Sequence, residues 1–241
     1  MKNPVIEILY ADEDMLVVNK PSGIPVIPER FNTEKNNSLQ NLLEKEFGKL
    51  FIVHRIDRGT SGALCFARNE AAHRNLSMQF QEHTVKKYYL AIVTGRLKES
   101  SGTIDAPIGE SNSRKGSMVI SKQGKAALSH YELVEDFKHA SVVRVQIETG
   151  RTHQVRVHLA YIGNPLLVDE LYGSTPAFYF SSIKRGYKQT DEEERPTIAR
   201  LTLHASELSL QHPVSNEKKT FTAPLPKDLE TVLKLLRKYD K

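Results

Sequence analysis

Val53-His54-Arg55-Ile56-Asp57-Arg58-Gly59-Thr60-Ser61-Gly62 is the stretch on which the reading of this chain turns. One carboxylate, Asp57, stands between Arg55 and Arg58 and runs into the small-residue turn Gly59-Thr60-Ser61-Gly62. Small turn residues let a ligand approach the backbone closely and hold one side chain out toward it. Two guanidinium groups beside a carboxylate suit a site that takes a polyanion and keeps the carboxylate ionised. Taken by itself, the same stretch also reads as a surface salt-bridge cluster.

Working outward, further motifs flank it in a fixed order. They are Asn19-Lys20-Pro21-Ser22-Gly23, Lys87-Tyr88-Tyr89-Leu90-Ala91 and Thr149-Gly150-Arg151-Thr152-His153-Gln154-Val155-Arg156-Val157-His158-Leu159. Gly163-Asn164-Pro165, Asp169 with Tyr172-Gly173, Leu203-His204-Ala205 and Ala223-Pro224-Leu225-Pro226 follow. With these motifs the chain resembles the pseudouridine synthases of the RluA type, from about residue 8 to about residue 236. The central stretch is similar to that family's catalytic motif, His-Arg-Leu-Asp-x-x-Thr-Ser-Gly, with Ile56 in place of Leu. His54, rather than Gly, before Arg55 points to the RluA type over the small-subunit (RsuA) type.

The composition agrees without deciding. The chain has 241 residues, 39% hydrophobic and 26% charged, as in an ordinary globular protein. Its length suffices for one large domain or two small ones. A net charge of +5 mildly favours a polyanionic partner such as RNA. Cys65 is the only cysteine, so an intramolecular disulfide and a Cys-based zinc site are excluded. It sits in the apolar run Ala63–Ala67 and reads as a buried structural thiol. The start, Met1-Lys2-Asn3-Pro4, lacks the apolar stretch of a signal peptide, and no run approaches the length of a membrane span. A cytoplasmic location is expected.

Periodicity predicts an α+β protein with a large, mostly antiparallel sheet and flanking helices; that the sheet is mixed is what the resemblance implies. Val5–Tyr10 and Met15–Val18 read as two strands joined by the acidic turn Asp12-Glu13-Asp14. Leu39, Leu42, Leu43 and Phe47 behind Ser38 predict a capped helix over 38–47. Ala72, Leu76 and Phe80 predict a second helix over 70–82. Residues 64–66 and 87–94 read as buried strands. Val143, Val145 and Ile147 alternate with Arg144, Gln146 and Glu148, a half-buried strand. Helices are expected over 152–161 and around Leu229, Val232, Leu233 and Leu236. The resemblance adds that the sheet is split by a central catalytic cleft. It also implies a single catalytic domain over 1–241, with no room before Asn19 for the small N-terminal RNA-binding module of many relatives.

Pseudouridine formation breaks the bond from uracil N1 to the ribose, turns the base and rejoins it through C5. It is redox-neutral, so no cofactor is expected. A carboxylate suits departure of the base, as a nucleophile or as a base acting on the sugar. The resemblance assigns this role to Asp57. The sequence leaves open whether Asp57 attacks the sugar, adds to the base or takes a ribose proton. Arg151 is similar to the family arginine that pairs with that carboxylate; a phosphate contact or strand-end salt bridge is the plain alternative. Arg55 resembles the arginine that enters the RNA stack when the target base is flipped out, with phosphate binding as its alternative. Tyr89 resembles the tyrosine that stacks on the base; by position alone it is a core residue.

Thr60, Ser61 and Gly62 are expected to shape the loop presenting Asp57, and Ser61 lacks the elbow of a hydrolase nucleophile. Lys20 reads as a phosphate contact or a strand cap, and Arg156 as facing solvent or RNA. His153 and His158 stand on different sides of a helix with no matching carboxylate, so no metal is expected. Residues 174–195 mix Phe178, Tyr179, Phe180 and Tyr187 with Lys184, Arg185, Lys188 and acidic residues 191–194. They read as a surface loop or as an RNA-contacting flap. The implied partner is a ribosomal or transfer RNA stem-loop, bound by a monomer. Two competing functions stand beside the synthase. One is a base-removing glycosidase, which ordinarily needs a second carboxylate that these motifs lack. The other is an RNA-binding or ribosome-assembly protein with a secondary catalytic role.

Overall fold

The hairpin predicted at the start of the chain forms: β1 (Glu7–Ala11) pairs antiparallel with β2 (Met15–Lys20), and Asp12 Oδ1 accepts from the backbone N–H of Asp14 and Met15 in the turn between them. The structure is a computed structural model that describes residues 5–28, 38–173, 175–184, 186–187 and 194–241. The chain divides into two compact units, Met1–Tyr88 with His204–Pro224 and Tyr89–Leu203 with Leu225–Lys241.

In the first unit, Ser38 caps α1 (Leu39–Phe47) by accepting from Asn41 N–H. The two-residue β3 (Phe51–Ile52) leads into the Asp57 stretch and then β4 (Ser61–Ala67), which is buried along its whole length. Helix α2 (Glu70–Gln81) follows, capped by Asn69 through Ala72 N–H. Its Ala72 and Leu76 pack with Met15, Val17, Ala63 and Cys65 in one apolar core. The expected structural role of Cys65 is therefore met. The chain passes to the second unit within β5 (Lys86–Thr94).

The second unit holds β6 (Ser101–Asp105), the small hairpin β7 (Ile108–Glu110) and β8 (Met118–Ile120), then β9 (Leu128–Asp136) and β10 (Ala140–Ile147). Both β10 and β6 pair antiparallel with β9. Val143, Val145 and Ile147 are buried and Arg144 is exposed, as the alternation predicts. Helix α3 (Gln154–Tyr161) follows directly.

The chain returns to the first unit in β11 (Leu203–Gln211), which pairs parallel with β4 and antiparallel with β12 (Lys218–Thr222). Gly62 lies opposite Ala205 with φ +122°, and a Cβ there would stand 2.2 Å from the Ala205 carbonyl oxygen. Only glycine permits strands β4 and β11 to approach so closely. Helix α4 (Lys227–Tyr239) completes the second unit, burying Leu229, Val232, Leu233 and Leu236 against Ile92, Val142 and Phe178. The α+β class with mostly antiparallel pairing is borne out.

Candidate active site

Asp57 sits in the loop between β3 and β4, and the Asn-Lys-Pro-Ser-Gly motif holds that loop in place. Lys20, at the end of β2, is 0% exposed. Its ammonium donates to the carbonyls of Pro21, Ile24 and Arg58 at 2.9, 2.8 and 3.1 Å. An ammonium has three donors, and backbone carbonyls accept from this one at three points. The Gly23 N–H also donates to the Arg58 carbonyl at 2.8 Å, the Arg58 Nε–H to Gly23 O at 2.9 Å, and the Ser22 hydroxyl to Gly59 O at 2.7 Å. Of the two readings of Lys20, the phosphate contact is set aside and the role at the strand end stands. A buried ammonium committed to three carbonyls meets no phosphate; it clamps the residues after Asp57.

The other side of the loop is anchored by His54. Its Nε2 accepts from the Cys65 N–H at 3.0 Å, and its ring stacks on Phe80 with centroids 4.4 Å apart. Burial, helped by the charge of Lys87, pulls its pKa down to about 3, so the imidazole is neutral at physiological pH. Between these anchors Asp57 is half-buried while Arg55 and Arg58 are exposed. The Thr60 N–H donates back to the Asp57 carbonyl at 3.1 Å, closing a turn. Ser61 is buried with its hydroxyl 2.9 Å from His204 Nδ1, and His204 Nε2 faces the Ala223 carbonyl. That carbonyl requires a proton on Nε2, so Ser61 donates to Nδ1. The pair ties β4 to β11 from within the core, in keeping with a shaping role for Ser61.

Tyr89 and Arg151 belong to the second unit. Tyr89 is 9% exposed on β5. Arg151 lies in a turn organised by Gln154. The Gln154 Oε1 accepts from the Arg151 N–H and the Thr149 hydroxyl, and its amide donates to Leu128 O and the Ser129 hydroxyl oxygen. The Arg151 Nε–H donates to Ala126 O at 2.8 Å. His153 takes the left-handed conformation, φ 56°, which turns the chain from this loop into α3. Asp57 and Arg55 thus share a loop of the first unit, while Tyr89 and Arg151 are placed by separate elements of the second.

Arg156 requires a second correction. It is buried and makes a bidentate pair with Asp169, at 2.7 and 2.8 Å. Burial alone would raise the Asp169 pKa. The Arg156 hydrogen bonds and charge, with the N–H groups of Leu171 and Tyr172, outweigh that and hold it below the usual range. Arg156 therefore orders the segment after α3 and faces neither solvent nor RNA. His153 Nδ1 lies 2.7 Å from the Tyr172 hydroxyl, and buried His158 lies between Ser129 Oγ and Ala106 O.

In the 174–195 segment, Ser174, Arg185, Lys188 and residues 189–193 lie outside the described residues. Phe178 is buried, and Phe180 meets Tyr239 of α4 and Tyr187 edge to face at 4.9 and 5.8 Å. Lys184 Nζ stands 5.2 Å over the Phe180 ring. Those aromatics pack on the protein itself; Tyr179 is the exposed one.

Among the described residues, Asp12, Asp14 and His212 bring three ligand-type atoms within 4.8 Å of one another. The backbone N–H groups of Val214 and Ser215 point at His212 Nδ1. The ring proton is therefore on Nε2, where it donates to Asp12 at 2.7 Å. Asp12 Oδ2 also accepts from the Tyr10 hydroxyl at 2.6 Å. These atoms are engaged in joining two turns.

The comparisons with known proteins agree with this architecture. The family described as RNA pseudouridylate synthase matches residues 14–161. A ribosomal large subunit pseudouridine synthase D of Zymomonas mobilis is 37% identical, covering 96% of this chain and 73% of the relative. An uncharacterised RNA pseudouridine synthase of Bacillus subtilis is 38% identical, covering 97% and 73%. Among solved structures, human RNA pseudouridylate synthase domain containing 4 superposes with a TM-score of 0.75 at 28% identity, covering 96% of this chain and 93% of that one. With the motif around Asp57 held as described, the chain belongs to the RNA pseudouridylate synthase family, of the RluA type, and is an RNA pseudouridine synthase.

Proposed function

We propose that this enzyme isomerises specific uridines in ribosomal RNA, with transfer RNA hairpins as the second substrate class, and that Asp57 is its catalytic carboxylate. The observation that carries the reading is the clamp on the Asp57 loop. Lys20, Ser22 and Gly23 fix the backbone on one side and His54 on the other, leaving a half-buried carboxylate between two exposed arginines. A reacting group held this way loses little freedom on reaching the transition state. Ribosomal RNA is favoured because relatives covering nearly the whole chain, from Zymomonas mobilis and Pseudomonas aeruginosa, are named for the ribosomal large subunit.

The uridine is flipped out of its stack before reaction. Arg55, exposed at the rim of the loop, fills the vacancy; Tyr89 stacks on the uracil; Arg151 supplies the cation that keeps Asp57 ionised in a shielded site. Asp57 assists cleavage of the N1–ribose bond, and the retained base rejoins through C5 with loss of the C5 proton. The sequence is redox-neutral and needs no metal or organic cofactor from this chain's side chains. Mapping pseudouridines in ribosomal and transfer RNA from cells with and without the gene tests the substrate class. Loss of specific ribosomal pseudouridines is expected; an unchanged map in both RNA classes overturns it.

A further inference from the structure

One hydroxyl in the Asp57 loop has no role in the contacts described above. Thr60 is 1% exposed, and its Oγ1 is a buried polar side-chain atom without a hydrogen-bond partner. A buried hydroxyl ordinarily donates to a nearby carbonyl, because leaving it unpaired keeps the whole cost of removing it from water. The carbonyls on either side of Thr60 serve other donors in the clamp, and none of them receives its hydroxyl. Asp57 O receives the Thr60 N–H, Arg58 O receives Gly23 N–H and Lys20, and Gly59 O receives the Ser22 hydroxyl. The next hydroxyl along, Ser61, is committed to His204.

Thr60 closes the turn that Asp57 opens, through its N–H to the Asp57 carbonyl at 3.1 Å. In such a turn the first and fourth Cα atoms lie within about 7 Å, so their side chains flank the same bend. We infer that the Thr60 hydroxyl is a donor held for the Asp57 carboxylate in the RNA-bound state, and that Thr60 is a positioning residue for the reaction. With the backbone clamped, this pairing requires only a rotation about the Asp57 side-chain bonds to bring a carboxylate oxygen to the hydroxyl. A hydrogen bond donated to the ionised form favours that form and restricts its rotamer. It would be made when bound RNA covers the Asp57 loop and excludes water, where charge-assisted bonds gain most.

This inference rests on Asp57 being the catalytic carboxylate, and its test separates the two. The probe is unmodified ribosomal and transfer RNA transcript carrying tritium at uridine C5, with tritium release as the readout, for wild type, Thr60→Val, Thr60→Ser and Asp57→Asn. Valine keeps the shape and removes the hydroxyl. Thr60→Val should lower kcat about 10- to 100-fold, the range for losing a partner that orients a functional group, with KM within about threefold of wild type because uniform binding is untouched. The acid limb of its kcat profile should move to higher pH, and Thr60→Ser should restore both rate and limb. Thermal melting should show Thr60→Val folded and at least as stable as wild type, since the unpaired hydroxyl is gone. A Thr60→Val kcat within twofold of wild type with an unmoved acid limb overturns the inference while leaving Asp57 in place. A rate lost in Thr60→Val and not restored by Thr60→Ser assigns Thr60 to packing and overturns it as well. Asp57→Asn turnover near wild type, or no wild-type turnover on either RNA class, removes the reading on which it rests and the inference with it.

Discussion

Buried charges in this protein are fixed by local partners, and that makes their removal readable. Lys20→Met should destabilise the protein by about 3–5 kcal/mol, because three carbonyls lose an ionised donor inside the fold. Urea unfolding measures this, and a loss below about 1 kcal/mol would mean the clamp is redundant. Arg156→Met should cost about as much, since it strands Asp169 as a buried unpaired charge. Adding Asp169→Asn to that variant should recover part of the loss. His54 gives a pH signature. Its folded pKa, about 3, lies below its ordinary value of 6.5. Above pH 6.5 it is neutral folded or unfolded and contributes no slope. Below 6.5 the unfolded chain takes up a proton that the folded chain refuses, so stability falls as pH drops toward 3. The slope is at most about 1.4 kcal/mol per pH unit. His54→Phe should flatten that limb at the expense of the Cys65 contact. Melting curves between pH 7 and 4 that are equally steep for both proteins would contradict the buried neutral imidazole.

The secondary structure was legible where its cause is local. Ser38 before the Leu39, Leu42, Leu43 and Phe47 spacing marks α1, and the alternation through Val143, Val145 and Ile147 marks β10. What escaped the sequence depends on residues far apart along the chain. Lys20 and Arg156 look like surface cations until the fold supplies carbonyls and Asp169 to bury against. The aromatics around 178–187 look exposed until α4 covers Phe178 and Phe180. Strands β6 to β9 carry too weak a periodicity to be marked by the sequence. For the site, the motif resemblance singled out Asp57 and its loop, whereas the Thr60 hydroxyl becomes buried and partnerless only in the folded chain. Two substitutions test the elements themselves. Gly62→Ala should push β4 from β11, since a Cβ would stand 2.2 Å from Ala205 O, and should lower the melting temperature sharply or prevent folding. Leu236→Ala, at a fully buried site on α4, should cost about 2–5 kcal/mol. Native-like melting of either protein would contradict the packing described for it.

Across the whole molecule, a modestly basic chain, +5 overall, meets an RNA substrate. Affinity should fall with salt by about 0.7 log units per phosphate contact for each tenfold rise, if single strands are held. The corrected geometry changes which residues should matter. Arg55 and Arg58 are exposed beside Asp57, whereas Lys20 and Arg156 are buried. Arg55→Ala should therefore weaken salt-dependent binding and also lower kcat at saturating RNA if it fills the vacated stack; an effect on binding alone would reduce it to a phosphate contact. The central claim is that a loop clamped by backbone hydrogen bonds presents Asp57 as the carboxylate that performs the isomerisation. Its most direct measurement is single-turnover tritium release from C5-labelled RNA by Asp57→Asn, alongside RNA affinity. The substitution keeps size and removes charge and nucleophilicity, so the rate should fall by at least about a thousandfold while affinity changes only a few-fold. Turnover within tenfold of wild type, in a protein that melts normally and binds RNA, would contradict the account.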